Sequence, residues 1–236
     1  MSSLPELVER ALAFATEAHG RVGQVRKYTG EPYIDHPVEV MGIVMTAAHH
    51  TDVMLATALL HDTIEDTLVT RYDVEREFGS DVADMVIELT DQCTEGNRAQ
   101  RKAAEAMRLS TISAEAQTVK LADLISNSAS IFEHDPEFAR VYLREKKQIL
   151  KVMTAGDPEL YARADLPPAE WPRDYDSLDH ERDDECRARS TSRKRLSASC
   201  VKLRLCWRRE RARLKPAAGS RSASKPIIAG GRNMAA

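Results

Sequence analysis

An apolar run that ends in four closely spaced polar residues is the feature that most constrains this chain. His61 and Asp62 directly follow the apolar run that ends at Leu60. Glu65 and Asp66 come one helical turn later. Residues three and four apart lie on one face of a helix, so the four polar groups are predicted to share nearly one face. A plain core helix would not carry them, whereas a metal site that activates water would need such groups.

Two other positions strengthen the metal interpretation, because alone the His-Asp pair could simply cap backbone groups at a helix C-terminus. His36 precedes Pro37, which suits the first turn of a helix. Asp123 stands in an apolar helical stretch, where carboxylates are rarely tolerated unless they are paired or bind a metal. His36 could be only a helix-start residue, and Asp123 could belong to a buried ion pair. Together, three predicted helices supply one candidate ligand set, His36, His61, Asp62 and Asp123.

The order of the motifs resembles the HD-domain pyrophosphohydrolases of the RelA/SpoT-homologue family, in their short, hydrolase-only form. The matching pieces are residues 23–27, 30–37, 59–67, 78–79, 82–83, 89–90 and 119–127. The resemblance covers residues 4–155, and the spaced set is far more specific than a His-Asp pair alone. It implies an all-helical fold, the use of Mn²⁺, and removal of the 3′-pyrophosphate from guanosine tetra- or pentaphosphate alarmones.

The resemblance also implies a role for each matching position. The implied metal ligands are His36, His61, Asp62 and Asp123. The residues implied to activate the attacking water are Glu65 and Asp66. The implied substrate contacts are Arg26, Lys27, Asn127 and Tyr142. The chemistry agrees, because imidazole and carboxylate groups suit Mn²⁺ better than a thiol-rich zinc site would, and Arg and Lys offset the charge of a diphosphate.

The last motif departs from the family at two positions. The family has a basic residue after the motif's aspartate and His or Tyr before its asparagine, where this chain has Leu124 and Ser126. We expect hydrolysis to be retained and recognition of the base or of the 5′-phosphates to change. Adenosine alarmones or another nucleotide therefore stay alternative substrates. A non-catalytic nucleotide-binding protein is the alternative from another class, although such a protein would not need the Glu65-Asp66 pair.

Apolar residues at helical spacing predict an all-α fold, with no strand alternation and no internal repeat. The resemblance implies that this fold is an HD-domain helical bundle. The predicted helices cover residues 5–19, 37–49, 52–62, 71–78, 80–91, 97–110, 113–133 and 136–153, and a short helix begins at 156–158. The predicted N-caps are Asp52, Thr70 and Ser80. Residues 20–35 should form a glycine-containing loop that carries Arg26 and Lys27. The basic segment 97–110 is either a solvated helix or a phosphate-facing flap.

Charge divides the chain into two parts. Residues 1–181 hold 18 Lys and Arg against 33 Asp and Glu, a net charge of −15, whereas residues 182–236 hold 16 against 4, a net charge of +12. The tail has few apolar residues to pack, so we expect it to stay disordered. It could be an unstructured extension, the product of a shifted reading frame or, less in keeping with its lack of motifs, a basic arm for nucleic acid. The predicted domains are an HD-type phosphohydrolase domain at 1–164 and a basic, low-order extension at 165–236.

The remaining composition narrows the class of protein. The chain contains no run of 18 apolar residues that could span a membrane, and its N-terminus lacks the plan of a signal peptide, so we expect a cytoplasmic protein. The resemblance implies a small nucleotide as its partner. Only Cys93 of the four cysteines lies in the predicted domain, and the others show no metal spacing. Dimer formation stays open. The 81 residues after position 155 have the wrong composition for a synthetase domain, so we expect no alarmone synthesis.

Overall fold

The computed structural model describes residues 4–91 and 95–166, and within these residues the chain is helical. Its helices are α1 (Glu6–Arg21), α2 (Asp35–Val44), α3 (Asp52–Leu60), α4 (Thr63–Asp66), α5 (Arg71–Phe78), α6 (Ser80–Leu89), α7 (Arg98–Leu109), α8 (Ala114–His134), α9 (Pro136–Leu150) and α10 (Pro158–Asp165). The described residues contain no strand, only an isolated bridge between Val25 and Pro32. The all-α prediction is confirmed. Cys93 and the predicted extension beyond residue 166 lie outside the described residues.

Two helices form the centre of this part of the chain. Every residue of α3 from Met54 to Leu60 is buried, which is typical of a helix that is apolar all round and enclosed by others. Helix α3 packs against α1, α2, α6 and α8, and the long α8 packs in turn against α2, α6, α9 and α10. Polar residues at the end of α3 and in the middle of α8 therefore enter the core. Among the described residues, no helix is long and apolar enough to cross a membrane.

Of the three N-caps predicted from the sequence, one is confirmed and two are wrong. Thr70 caps α5 as predicted, in a capping box with Asp73. The prediction that Asp52 is the N-cap of α3 was wrong. The N-cap is Thr51, which has an extended backbone and whose hydroxyl accepts a 3.2 Å hydrogen bond from Met54 N. Ser80 was wrong as well. It is already the first residue of α6, and the preceding Gly79, at φ 88°, makes the sharp turn from α5 that a glycine favours.

Two helices end earlier than their patterns predict. Helix α2 stops at Val44 rather than at residue 49, and Ala48 N instead donates a 3.1 Å hydrogen bond to Asp157 Oδ2, from the N-cap of α10. Helix α3 stops at Leu60, and α4 is a separate single turn. The Thr63 hydroxyl donates to Leu60 O at 2.7 Å and so takes a carbonyl at the end of α3. The four polar groups therefore do not follow one another along a single helix.

Candidate metal centre and active site

The four predicted metal ligands converge on one point between α2, α3 and α8. His36 Nε2 lies 3.2 Å from Asp123 Oδ1 and 3.8 Å from Asp62 Oδ2. His61 Nε2 lies 3.0 Å from Asp62 Oδ2 and 3.8 Å from Asp123 Oδ1. Both histidines and Asp123 are buried, whereas the side chain of Asp62 is 21% exposed. Donor atoms of His36, His61 and Asp123 all lie within 4.8 Å of one another.

The contact between His61 and Asp62 shows how well this site fits a cation. The Nδ1 of His61 donates a 2.8 Å hydrogen bond to Ala58 O, so the neutral ring carries its lone pair on Nε2. That nitrogen is buried without a hydrogen-bond partner, although a carboxylate oxygen lies 3.0 Å away. Two acceptors at this distance need a proton or a cation between them. Ligands about 2.1 Å from an octahedral ion lie about 3 Å apart, so the spacing suits a divalent metal.

The electrostatics of the site favour a positive charge beside the carboxylates of Asp62 and Asp123. Burial would lower the pKa of His61, but the charges of Asp62 and Asp123 outweigh burial and raise this pKa to about 9. Burial would raise the pKa of both carboxyl groups, yet His61 lowers that of Asp62, and Lys120 lowers that of Asp123. Lys120 Nζ donates a 2.8 Å hydrogen bond to Asp123 Oδ2. Both carboxylates are therefore held ionised, as metal ligands must be.

The two predicted water-activating carboxylates lie on α4 and are each held by a hydrogen bond. Glu65 Oε2 accepts a 3.0 Å hydrogen bond from Asp91 N, and partial burial of its carboxyl group raises the pKa of Glu65. Asp66 Oδ2 accepts a 2.8 Å hydrogen bond from Gln24 Nε2. The Oε1 of Gln24 in turn lies 2.6 Å from Nδ1 of the buried His19. A carboxylate with a raised pKa accepts a proton from water more readily.

The loop that carries the predicted nucleotide contacts Arg26 and Lys27 is present between α1 and α2. Arg26 Nη2 lies 4.0 Å from Glu39 Oε2 on α2. Lys27 Nζ lies 3.1 Å from Tyr28 Oη and 3.7 Å from Asp135 Oδ2, at the start of α9. Both cations are thus paired with acidic or phenolic groups that a phosphate would have to replace.

The other two predicted substrate contacts are directed at protein groups. Asn127 Nδ2 donates a 2.6 Å hydrogen bond to Asp123 Oδ1, so Asn127 lies against a predicted metal ligand. The Tyr142 hydroxyl donates a 3.3 Å hydrogen bond to Leu124 O in the backbone of α8. Asn127 therefore lies at the metal site, and the role of Tyr142 stays a prediction.

The basic helix α7 uses several of its cations in ion pairs. Arg98 binds Glu145 of α9 through two hydrogen bonds of 2.6 and 2.8 Å. Lys102 donates to the buried Glu105 at 2.5 Å. The Arg98–Glu145 pair ties α7 to α9, whereas the Lys102–Glu105 pair lies within α7. Neither pair decides between a solvated helix and a phosphate-facing flap.

Sequence reasoning assigned no role to two residues that hold the ligand carboxylates. The Tyr33 hydroxyl donates a 2.6 Å hydrogen bond to Asp62 Oδ2, and Lys120 binds Asp123. A signal was present, because Lys120 precedes Asp123 by three positions on one helix and Tyr33 precedes His36 by three in a matching motif.

An all-helical domain in which a His-Asp pair meets a second histidine and a second aspartate defines a metal-dependent hydrolase of the HD type. The sequence pattern of the HD domain family matches residues 11–155, and this chain belongs to that family. The resemblance inferred from the motifs is confirmed.

Several named proteins are similar in sequence to this chain. The guanosine-3′,5′-bis(diphosphate) 3′-pyrophosphohydrolase MESH1 of Xenopus tropicalis is 39% identical over 139 residues, which cover 58% of this chain and 76% of that protein. The Homo sapiens MESH1 is 39% identical over 137 residues, 58% of this chain and 75% of that protein. The GTP pyrophosphokinase rsh of Brucella abortus is 34% identical over 131 residues, and the chain spans only 17% of its length.

One solved structure supports the same assignment. It is that of a metazoan orthologue of SpoT that hydrolyses ppGpp and plays a role in starvation responses. It superimposes with a TM-score of 0.64 at 27% identity, over 70% of this chain and 95% of that chain. The fold and the family therefore agree.

Proposed function

We propose that this protein is a metal-dependent hydrolase that removes the 3′-pyrophosphate of guanosine tetra- or pentaphosphate and releases pyrophosphate. The observation that carries the proposal is the approach of His61 Nε2 to Asp62 Oδ2, 3.0 Å apart in a set of four convergent ligands, where a proton or a cation has to lie between the two atoms. The activity for which the MESH1 relatives are named supplies the substrate class.

The residue roles follow from this proposal. The metal ligands are His36, His61, Asp62 and Asp123. When bound, the ion would lower the pKa of a bound water and polarise a phosphoryl oxygen. Glu65 and Asp66, held by Asp91 N and by Gln24, accept the proton of the attacking water. The substrate contacts are Arg26, Lys27, Asn127 and Tyr142.

The ion, the location and the domain boundary form part of the same proposal. Two imidazoles and two carboxylates suit Mn²⁺, which tolerates both nitrogen and oxygen ligands. We propose a cytoplasmic protein whose catalytic domain is contained in residues 1–164 and whose substrate is a small nucleotide. Dimer formation and nucleic-acid binding by the basic tail are not needed for this activity.

The adenosine alternative depended on Leu124 and Ser126. Both side chains are buried, at 4% and 1% exposure, so neither presents a surface to a nucleotide base. Their departure from the family pattern gives no support to a change of base, and guanosine alarmones stay the leading substrates. The non-catalytic alternative is not supported either. Glu65 and Asp66 both lie on α4, whose N-cap is the predicted ligand Asp62.

The experiment that tests the proposal is pyrophosphate release from guanosine and adenosine 3′-pyrophosphate substrates, measured side by side with Mn²⁺ and with a chelator. We expect Mn²⁺-dependent release with a preference for guanosine and loss of release with chelator. Release that persists in chelator would contradict the metal site. Absence of release from either substrate by protein that binds Mn²⁺ would contradict the substrate assignment and favour a binding role.

A further inference from the structure

Hydrogen bonds between side chains link the surface residue Glu39, through Ser126, to the candidate ligand His36. His36 Nδ1 lies 3.0 Å from Ser126 Oγ on α8, and both residues are buried. Ser126 Oγ donates a 2.8 Å hydrogen bond to Glu39 Oε2 on α2. The chain therefore joins two helices and leads from the ligand toward the surface, where the side chain of Glu39 is 45% exposed.

The direction of each proton in this chain follows from the groups themselves. An ionised carboxylate only accepts hydrogen bonds, so the Ser126 hydroxyl must donate its proton to Glu39. The lone pairs of the same hydroxyl then accept from His36 Nδ1–H. The remaining lone pair of the imidazole is consequently on Nε2, the atom 3.2 Å from Asp123 Oδ1. Ser126 thus selects the tautomer in which His36 can bind a metal.

The tautomer of the second histidine, His61, is fixed by a backbone carbonyl instead of a side chain. His61 Nδ1 donates to Ala58 O, three residues earlier in α3. His36 is the second residue of α2, and the carbonyl three residues earlier, Tyr33 O, accepts a 3.0 Å hydrogen bond from the backbone nitrogen of His36. The partner of its Nδ1 comes from another element, as the hydroxyl of Ser126. This difference gives a physical reason for a buried serine at position 126.

We propose that Ser126 and Glu39 are positioning residues for the metal centre, which fix the ring and tautomer of His36 and strengthen its Nε2 as a ligand. Partners of this kind contribute about 10–100-fold to metal affinity. The inference depends on the proposed function only in taking His36 as a metal ligand, not in any choice of substrate. Glu39 also lies 4.0 Å from Arg26, so the chain links the metal centre to the predicted nucleotide-binding loop.

The test is the affinity of the full-length, metal-free protein for Mn²⁺ alone, measured from the electron paramagnetic resonance signal of the free ion. Ser126→Ala and Glu39→Ala should each weaken binding, the former by about 10–100-fold. Ser128→Ala is the matched control, because Ser128 is a buried serine of the same helix whose hydroxyl donates to Leu124 O and accepts from Lys146 Nζ, and neither partner is a predicted metal ligand. It should bind Mn²⁺ like the parent, and His36→Ala should lose tight binding.

The outcomes separate this inference from the proposed function. Mn²⁺ affinities of Ser126→Ala and Glu39→Ala equal to that of the parent, with loss in His36→Ala, would overturn the positioning role and leave the metal site standing. Failure of the parent itself to bind Mn²⁺ would overturn the proposed function and this inference together. If circular dichroism shows that Ser126→Ala is unfolded, the Mn²⁺ affinity of Glu39→Ala becomes the deciding measurement. Glu39 is half-exposed, so its replacement leaves no cavity in the core.

Discussion

Gln24 Nε2 donates a 2.8 Å hydrogen bond to Asp66 Oδ2, so the loop after α1 holds a carboxylate 42 residues further along the chain. Because the carboxylate only accepts, the amide nitrogen must face Asp66, and the amide oxygen then accepts from His19 Nδ1 at 2.6 Å. The buried His19 thereby fixes Gln24, and Gln24 fixes Asp66.

Gln24→Leu should lower turnover by about 10–100-fold, because Asp66 loses the hydrogen bond from the Gln24 amide that holds its carboxylate in place. Mn²⁺ affinity should not change, since Gln24 contacts no ligand. Steady-state pyrophosphate release and a Mn²⁺ titration measure the two quantities. Gln148→Leu, at an exposed glutamine of α9, is the control. A parallel loss of Mn²⁺ affinity would contradict the assignment of Gln24 to Asp66.

His61→Ala and Asp62→Asn should each abolish tight Mn²⁺ binding and lower turnover more than about 100-fold, because each removes one of four convergent ligands. Isothermal titration with Mn²⁺ and pyrophosphate release measure these effects. His49→Ala changes an exposed histidine and should match the parent in both. Full activity in either ligand variant would contradict the metal-dependent mechanism.

Glu65→Gln and Asp66→Asn should lower turnover by about 10²–10⁴-fold while Mn²⁺ still binds, because the amides keep the shape of the carboxylates but cannot accept a proton. Asp81→Asn, at an exposed carboxylate of α6, should be neutral. Measuring single-turnover rates at saturating Mn²⁺ separates this chemical step from binding. Unchanged rates in both variants would remove the two carboxylates from the reaction.

Lys146→Met should stabilise the protein at neutral pH. Burial lowers the pKa of Lys146 to about 8, below the 10.5 of a free lysine, although Asp165 opposes this. Between these values the unfolded chain binds more protons than the folded chain, so the parent's stability rises with pH across this window. The variant lacks the penalty and should gain about 1–3 kcal/mol in free energy of unfolding at pH 7, after loss of the hydrogen bond to Ser128.

Denaturant unfolding at pH 7 and near pH 10 checks the Lys146 prediction. The gain should shrink at the higher pH, where the folded parent already carries a neutral amine. Lys151→Met is the control at an exposed lysine just after α9. A destabilised Lys146→Met protein at pH 7 would show that the contact with Ser128 outweighs the cost of burying the charge.

Removal of residues 167–236 should leave Mn²⁺ affinity and pyrophosphate release unchanged, because every predicted ligand and substrate contact precedes residue 143. The truncated and full-length chains can be compared in the same two assays. Loss of activity on truncation would contradict the proposed domain boundary at residues 164 and 165.

The helices and the chemical identity of the ligands were predictable from local pattern. Apolar spacing predicted each of the longer helices, and the His-Asp pair, His36 and Asp123 were selected by their residue type and neighbours. The helix ends were less predictable, because distant groups decide them. Asp157, at the N-cap of α10, accepts from Ala48 N, and no local pattern near the end of α2 reveals this bond.

The sequence by itself determined that this chain is helical and which side chains are available to bind a metal, because helical periodicity and the chemistry of His and Asp are local properties. Only the tertiary structure decided which groups meet. His36 and Ser126 are 90 residues apart and touch because α2 packs against α8. The same packing buried Leu124 and Ser126, which the sequence alone had placed in substrate recognition. Burial and long-range contact depend on how the helices pack, and the sequence pattern of one helix does not contain that information.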